Sequence, residues 1–369
     1  MPRRHPFISS LAILAAATIG VGIFSLPFVF EEVGPLTGIA FLVILAVVIA
    51  TAHALYYEAL EKAGRGENIV LLARTYFGKA GTVLGFGCTV IGLLLALVVL
   101  LVVGSRFLHI FLPFLSPDIS LIIFWIAGSL FLLNKPRSSV ALEIIAVSAM
   151  AFVVVFLVIA GFVHPALRNI PWGALSPLAA FGPILFALSG WTAVEPVQGV
   201  IGNARTKKSA WKLFFLAAFL IAAIYLLFVS AIFRLSFPVT PDTLSGVAHA
   251  SSWAVSLLSF FGALAIFAEY FPLGSEAVRS LSSSLAMPLR SARMLIVFLP
   301  IAFIMLAGGN FLTIIGITGG IFISIQYLLI LAVSRAAKRL QGMKLFLWHF
   351  ATLVFALALL GEAYYLVFV

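Results

Sequence analysis

The sequence predicts an all-α membrane protein, with eleven transmembrane helices in a single domain over residues 1–369. Three observations predict it. The chain is 63% hydrophobic and 9% charged, with a mean hydropathy of +1.23, far outside the range of a soluble domain with one core. Apolar stretches of about 20 residues, the length that crosses roughly 30 Å of hydrocarbon, recur from end to end. Period-2 alternation is absent, which argues against an outer-membrane barrel.

The spans read as 7–33, 35–60, 80–112, 119–133, 138–163, 177–200, 210–235, 251–279, 293–307, 311–334 and 346–367. With the N-terminus inside, all of the 22 Lys and Arg except Arg106, Arg168 and Arg234 fall in cytoplasmic segments, Arg3, Arg4, Arg65, Lys135, Arg137, Arg205, Lys207 and Lys208 among them. This positive-inside bias sets the orientation and an odd span count. The N-terminus is expected in the cytoplasm and the C-terminus outside, in the plasma or inner membrane. The net charge of +10 therefore reports topology in a lipid bilayer and does not point to nucleic acid. The start "MPRRHPFISSLAILAAAT" imitates a signal peptide, but its removal would leave an even number of spans, so it is read as the first span.

Between the spans, Glu61 to Lys79 reads as a short amphipathic helix on the membrane surface, and 236–250 as the site of another short helix. Gly308, Gly309 and Asn310 read as a tight external turn between the ninth and tenth spans. Cys88 is the single cysteine, within the third span, so no disulfide framework or metal cluster is expected.

The first span is interrupted. "TIGVGIFSLPFVFEEVG", residues 18–34, carries Gly20, Gly22, Ser25, Pro27 and a terminal Gly34. The sixth, "FGPILFALSGWTAVEPVQGVIGN", repeats the layout with Ser189, Gly190 and Pro196. Unwinding a helix in lipid leaves backbone groups unpaired at several kcal/mol each unless protein or water satisfies them. Two such spans, five helices apart and opposite in orientation, point to inverted repeats, about 7–163 and 177–334, with 346–367 as an extra helix and a site at the midplane. Each half-helix then has its own ends: free N–H groups suit a carboxylate and free carbonyls a cation or ammonium, a pair that matches a zwitterionic amino acid. Ser25 is placed to cap the second half-helix, and Pro27 fits its first turn.

"GVGIFSLPF" resembles the first-helix signature of amino acid permeases, "FALSGW" their sixth-helix segment, and "NFLTIIGITGGIFISI" the tenth helix of the amino acid and auxin permease branch, which includes aromatic amino acid permeases, of the amino acid–polyamine–organocation superfamily. The resemblance implies the LeuT-type five-plus-five inverted fold with helices 1 and 6 broken, and carriage of amino acids with protons or sodium. Carried over, it implies that amides around Gly20, Val21, Gly22 and Ile23 hold the substrate carboxylate, and that carbonyls near Ala187, Leu188 and Ser189, beside Gly190, take its ammonium. Phe186 stands where such proteins place an occluding aromatic, and Trp191 follows the break.

Glu195 and Glu269 lie inside spans, where a charged carboxylate costs on the order of 2.5 to 3.5 kcal/mol and marks a cavity or an ion path. Relatives commonly ligate sodium with a small hydroxyl pair and first-helix carbonyls. Here Ala268 and Glu269 stand in that place, facing the carbonyls of Ala16 and Ile19. A carboxylate there suits a proton, the expected coupling ion, with sodium the alternative. Glu195, one residue before Pro196, is assigned to a gate or to support of the second half-helix, and Glu143 and His53 to packing.

No nucleotide-binding loop is present, and no clustered nucleophile and base, so neither an ATP-driven pump nor an enzyme is expected. No cofactor is expected beyond the coupling ion. The reading is secondary import of an amino acid by alternating access, with an uncoupled exchanger as the runner-up and a channel, which would want a pore-lining repeat, as the more distant one.

Overall fold

The computed structural model describes residues 6–64, 68–134, 139–163, 177–201, 209–236, 238–247, 252–285, 287–308 and 310–368. Arg3, Arg4, Arg65, Lys135, Arg137, Arg168, Arg205, Lys207, Lys208 and Gly309 lie outside the described residues, as does the side chain of Glu143.

Apolar sequence with no water partner must satisfy its own backbone, and the described residues are accordingly helical throughout. In chain order they form α1 (Pro6–Thr18), α2 (Leu26–Val33), α3 (Pro35–Ala63), α4 (Ile69–Phe111), α5 (Pro117–Asn134), α6 (Ser139–Val163), α7 (Phe181–Leu188), α8 (Val194–Ile201), α9 (Ala210–Leu235), α10 (Leu244–Val247), α11 (Ser252–Leu285), α12 (Leu289–Ala307), α13 (Phe311–Gly316), α14 (Ser324–Ala337) and α15 (Gly342–Phe368). Eight helical segments are long and apolar enough to cross a membrane, nine with the bent pair Pro6–Thr18 and Val21–Val33 taken as one span. Pro117–Leu133 and Val147–Val163 are shorter apolar helices. α12 and α15 expose large apolar side chains, such as Leu306 at 89% and Val367 at 71%, as helices bordering lipid do.

Several boundaries shift from expectation for local reasons. The surface helix expected over Glu61 to Lys79 forms from Ile69 and runs into the third span through a kink at Gly78, whose φ of 60° lies in the left-handed region that glycine tolerates. The short helix expected in 236–250 is the single turn α10. Gly308 (φ 77°) ends α12, and Asn310 Oδ1 accepts the Thr313 amide at 3.4 Å to start α13. The tenth span is not uniform: Ile317–Ile323 between α13 and α14 is π-helical, a local widening often found at functional sites. Cys88 is buried and packs, with its thiol toward the Gly85 carbonyl.

α11 packs along α4 and α6, α3 along α9, and α7 against the π-helical segment, while α1 touches α8 and α9. One end is closed by Glu58, which joins α3 to Lys338 Nζ at 2.8 Å, to Lys344, and to the Trp211 indole N–H at 2.8 Å. The two interrupted spans are thereby buried at the centre, with α4, α9, α11 and the tenth span around them.

Candidate functional site

α1 ends at Thr18. Gly20 then adopts an extended conformation (φ −130°, ψ −154°), a 3-10 turn covers Val21–Ser25, and α2 follows with Pro27 in its first turn. The two halves meet at 52°. Ser25 does not cap α2 as expected: its hydroxyl donates to the Gly22 carbonyl at 2.9 Å, because Ser25 is already helical and its side chain points back along the turn.

The second interruption follows the same scheme. α7 ends at Leu188, Ser189 is extended, and the 3-10 turn Trp191–Ala193 leads into α8. The two breaks press on each other. A Cβ built on Gly22 would lie 2.7 Å from Ala187 Cα, and one on Gly190 would overlap the Thr18 side chain, so glycine is required at both for the spans to cross. Between them stands the Tyr225 hydroxyl, 2.9 Å from the Thr18 carbonyl oxygen and 2.7 Å from that of Ala187. One phenolic proton therefore serves a carbonyl from each break.

Glu269 of α11 completes the site. Its carboxylate lies over Gly20, with Oε1 2.6 Å from where a Gly20 Cβ would be. A cavity of about 90 Å³ opens here, lined by Gly20, Val21, Gly22, Phe186, Ser189, Gly190, Trp191 and Glu269 together with Leu93 and Leu100 of α4 and Thr318 and Gln326 of the tenth span. The residues picked out from the two spans thus converge with Glu269 on one volume.

Other expected positions do not line it. Ile23, Ala187 and Leu188 are buried behind it. The Ile23 amide, expected to be free for an anion, donates to the Gly20 carbonyl at 3.3 Å, since the 3-10 turn supplies it an acceptor. Ala16 is exposed and Ile19 half-buried, while Ala268 is buried. None of the three lines the cavity. Glu195, in the first turn of α8, is half-buried and accepts the Tyr56 hydroxyl at 2.8 Å, away from the cavity. His53 is buried with Nε2 2.8 Å from the Tyr327 hydroxyl. That hydroxyl also meets Ser189 and Gly190. Among the described residues no three His, Cys, Asp or Glu are placed to hold a metal ion.

Sequence reasoning missed Tyr225 and Tyr327, two of five fully buried tyrosines, and Glu362. The last is 3% exposed, one of its oxygens has no hydrogen-bond partner, and its carboxylate lies against Gly182, Gly316 and Gly320. Its only sequence signal is an acid inside an apolar span.

With this geometry in place, likeness to known proteins is informative. Residues 3–171 match the tryptophan/tyrosine permease family. The match includes the first break, whereas the second break and Glu269 lie beyond it. No curated protein sequence matches the chain. Among solved structures, MhsT in complex with L-phenylalanine superposes with a TM-score of 0.70 at 15% identity, covering 98% of each chain. The Eremococcus coleocola manganese transporter, in complex with an aromatic bis-isothiourea substituted compound, gives 0.68 at 11% identity, over 100% of this chain and 90% of that one. The superpositions give the chain the LeuT fold.

Proposed function

We propose that the protein is a proton-coupled symporter that moves an aromatic amino acid across the cell membrane by alternating access, through eleven spans arranged as inverted repeats of about 7–163 and 177–334. The observation that supports the reading is the cavity between the two broken spans, which residues of both breaks and the Glu269 carboxylate line together. Contacts of α3 with α9, α4 with α11, and one break with the other are those expected between equivalent helices of two repeats. The N-terminus is assigned to the cytoplasm from the distribution of Lys and Arg.

A cavity of about 90 Å³ is smaller than the roughly 150 Å³ that holds a benzene. An amino acid is therefore admitted only when the half-helices move away from α4 and α11, as alternating access requires. The tryptophan/tyrosine family match and the phenylalanine bound to a structural neighbour support an aromatic side chain. Glu269, in place of a hydroxyl pair, favours the proton over sodium. One positive charge moving inward through 100 mV releases about 2.3 kcal/mol, enough for roughly fifty-fold accumulation of a neutral substrate.

The test is uptake of labelled tryptophan, tyrosine and phenylalanine into liposomes containing the purified protein. An imposed inward proton gradient should drive accumulation with or without sodium, and a protonophore should abolish it. Counterflow that ignores both pH and sodium would favour the uncoupled exchanger instead.

A further inference from the structure

We propose that the Glu269 carboxylate is the resident occupant of the backbone amides at the first break, and that a substrate carboxylate takes its place there once Glu269 has accepted a proton. This rests on the transport reading above and specifies how proton and substrate are linked in it.

The amides of Val21 and Gly22 come before the first i−3 carbonyl of their 3-10 turn, so neither has an acceptor within it. They are the donors that an amino acid carboxylate would use. In the structure an acid of the protein already stands beside them: the Glu269 carboxylate lies over the bare face of Gly20 and shares the cavity with Val21 and Gly22. Gly20 permits this approach, since a Cβ there would be 2.6 Å from the oxygen.

Two ionised carboxylates cannot share these donors, and nothing nearby neutralises the second. The groups that face Glu269 around the cavity are Leu93, Ala96 and Leu100 of α4, Thr318 and Gln326 of the tenth span, and the Tyr225 phenol of α9. Among the described residues no Lys, Arg or His lines the cavity, and none of α5, α6 or α12 does. The one titratable neighbour, Tyr225, already has its proton between two carbonyls. A proton on Glu269 itself is the remaining way to remove the conflict. Charge then balances: Glu269 goes from −1 to neutral, a zwitterion of net zero binds, and one positive charge crosses per substrate. When the substrate leaves, Glu269 gives up its proton and returns to the amides.

The arrangement differs from one in which Glu269 pairs with the substrate ammonium. In that case ionising Glu269 would tighten substrate binding. In competition for the amides it weakens binding, and only for ligands that carry a carboxylate.

The experiment measures equilibrium binding to the purified full-length protein from pH 5 to 8.5 with three probes: L-tryptophan, indole-3-propionate, which lacks the ammonium, and tryptamine, which lacks the carboxylate. The expected result is that the Kd values of tryptophan and indole-3-propionate rise up to tenfold per pH unit above the Glu269 titration, while that of tryptamine does not rise. In Glu269→Gln the dependence for tryptophan should vanish. Tryptophan binding that is flat or tighter with rising pH, or tryptamine that weakens in parallel, overturns the proposal. These comparisons on the unmodified protein decide it even where Glu269→Gln does not fold. Failure of every aromatic amino acid to bind at any pH would sink the transport reading itself, and this proposal with it.

Discussion

At the first break the chain turns by 52° between Pro6–Thr18 and Val21–Val33, and the Glu269 carboxylate of α11 lies against Gly20. At the second, Phe181–Ile201 runs on as one span, the Ala187 carbonyl is met by Tyr225, and Ser189 and Gly190 are met by Tyr327. Two interruptions with the same layout of small residues and proline thus share the Tyr225 phenol and differ in what else they meet, the Glu269 carboxylate at the first and the Tyr327 phenol at the second. Within the proposed cycle the first break is the one whose occupant changes with pH, and the second is a neutral hydrogen-bonded partner.

The largest effect should come from forcing the two breaks apart. Gly22→Ala places a methyl 2.7 Å from Ala187 Cα, a backbone atom that cannot move aside cheaply. Overpacking of this kind costs about 1–3 kcal/mol, so thermal unfolding should show clear destabilisation and uptake should fall at least tenfold. Gly20→Ala meets only the Glu269 side chain and should destabilise less, while shifting the pH profile of uptake.

Next is the clamp between the breaks. Tyr225→Phe removes the donor shared by the Thr18 and Ala187 carbonyls, and leaving a buried acceptor unpaired costs roughly 1–3 kcal/mol. Its loss of stability and transport should exceed that of Tyr327→Phe, whose hydroxyl meets His53 and the second break but not the first. If the two variants behave alike, the breaks are not joined through Tyr225.

Smaller changes sharpen the contrast. Ser25→Ala should cost about 1 kcal/mol, the ordinary net worth of one hydrogen bond, because Ser25 closes the turn onto Gly22 and does not cap a helix end. Glu362→Met should be neutral or stabilising in a melting experiment, since it replaces a buried acid with an unpaired oxygen by an apolar chain of similar volume.

How much of this was legible in the sequence follows from what each signal requires. Gly20, Gly22, Ser189, Gly190 and the prolines were legible because a helix breaker in a long apolar run contradicts the local rule. Glu269 was legible because an acid in such a run is costly. Tyr225 and Tyr327 were not: a tyrosine in an apolar helix is ordinary, and only the crossing of distant spans brings its hydroxyl to a carbonyl. The places of Ala16, Ile19 and Ala268 beside Glu269 rest on chain position, whereas the extended Gly20, with the Glu269 carboxylate over it, is visible only in three dimensions. The π-helical turn at Ile317–Ile323 left no signal beyond its glycines. Gly319 there lies against the Gly182 carbonyl, a contact set by packing alone.

In the proposed cycle one proton, carried by Glu269, accompanies each substrate. Proton and labelled tryptophan fluxes measured together in liposomes containing the full-length protein decide this. Equal fluxes are expected for the unmodified protein, and tryptophan exchange without net proton movement for Glu269→Gln. Proton movement in step with tryptophan in Glu269→Gln, or none in the unmodified protein, would contradict it.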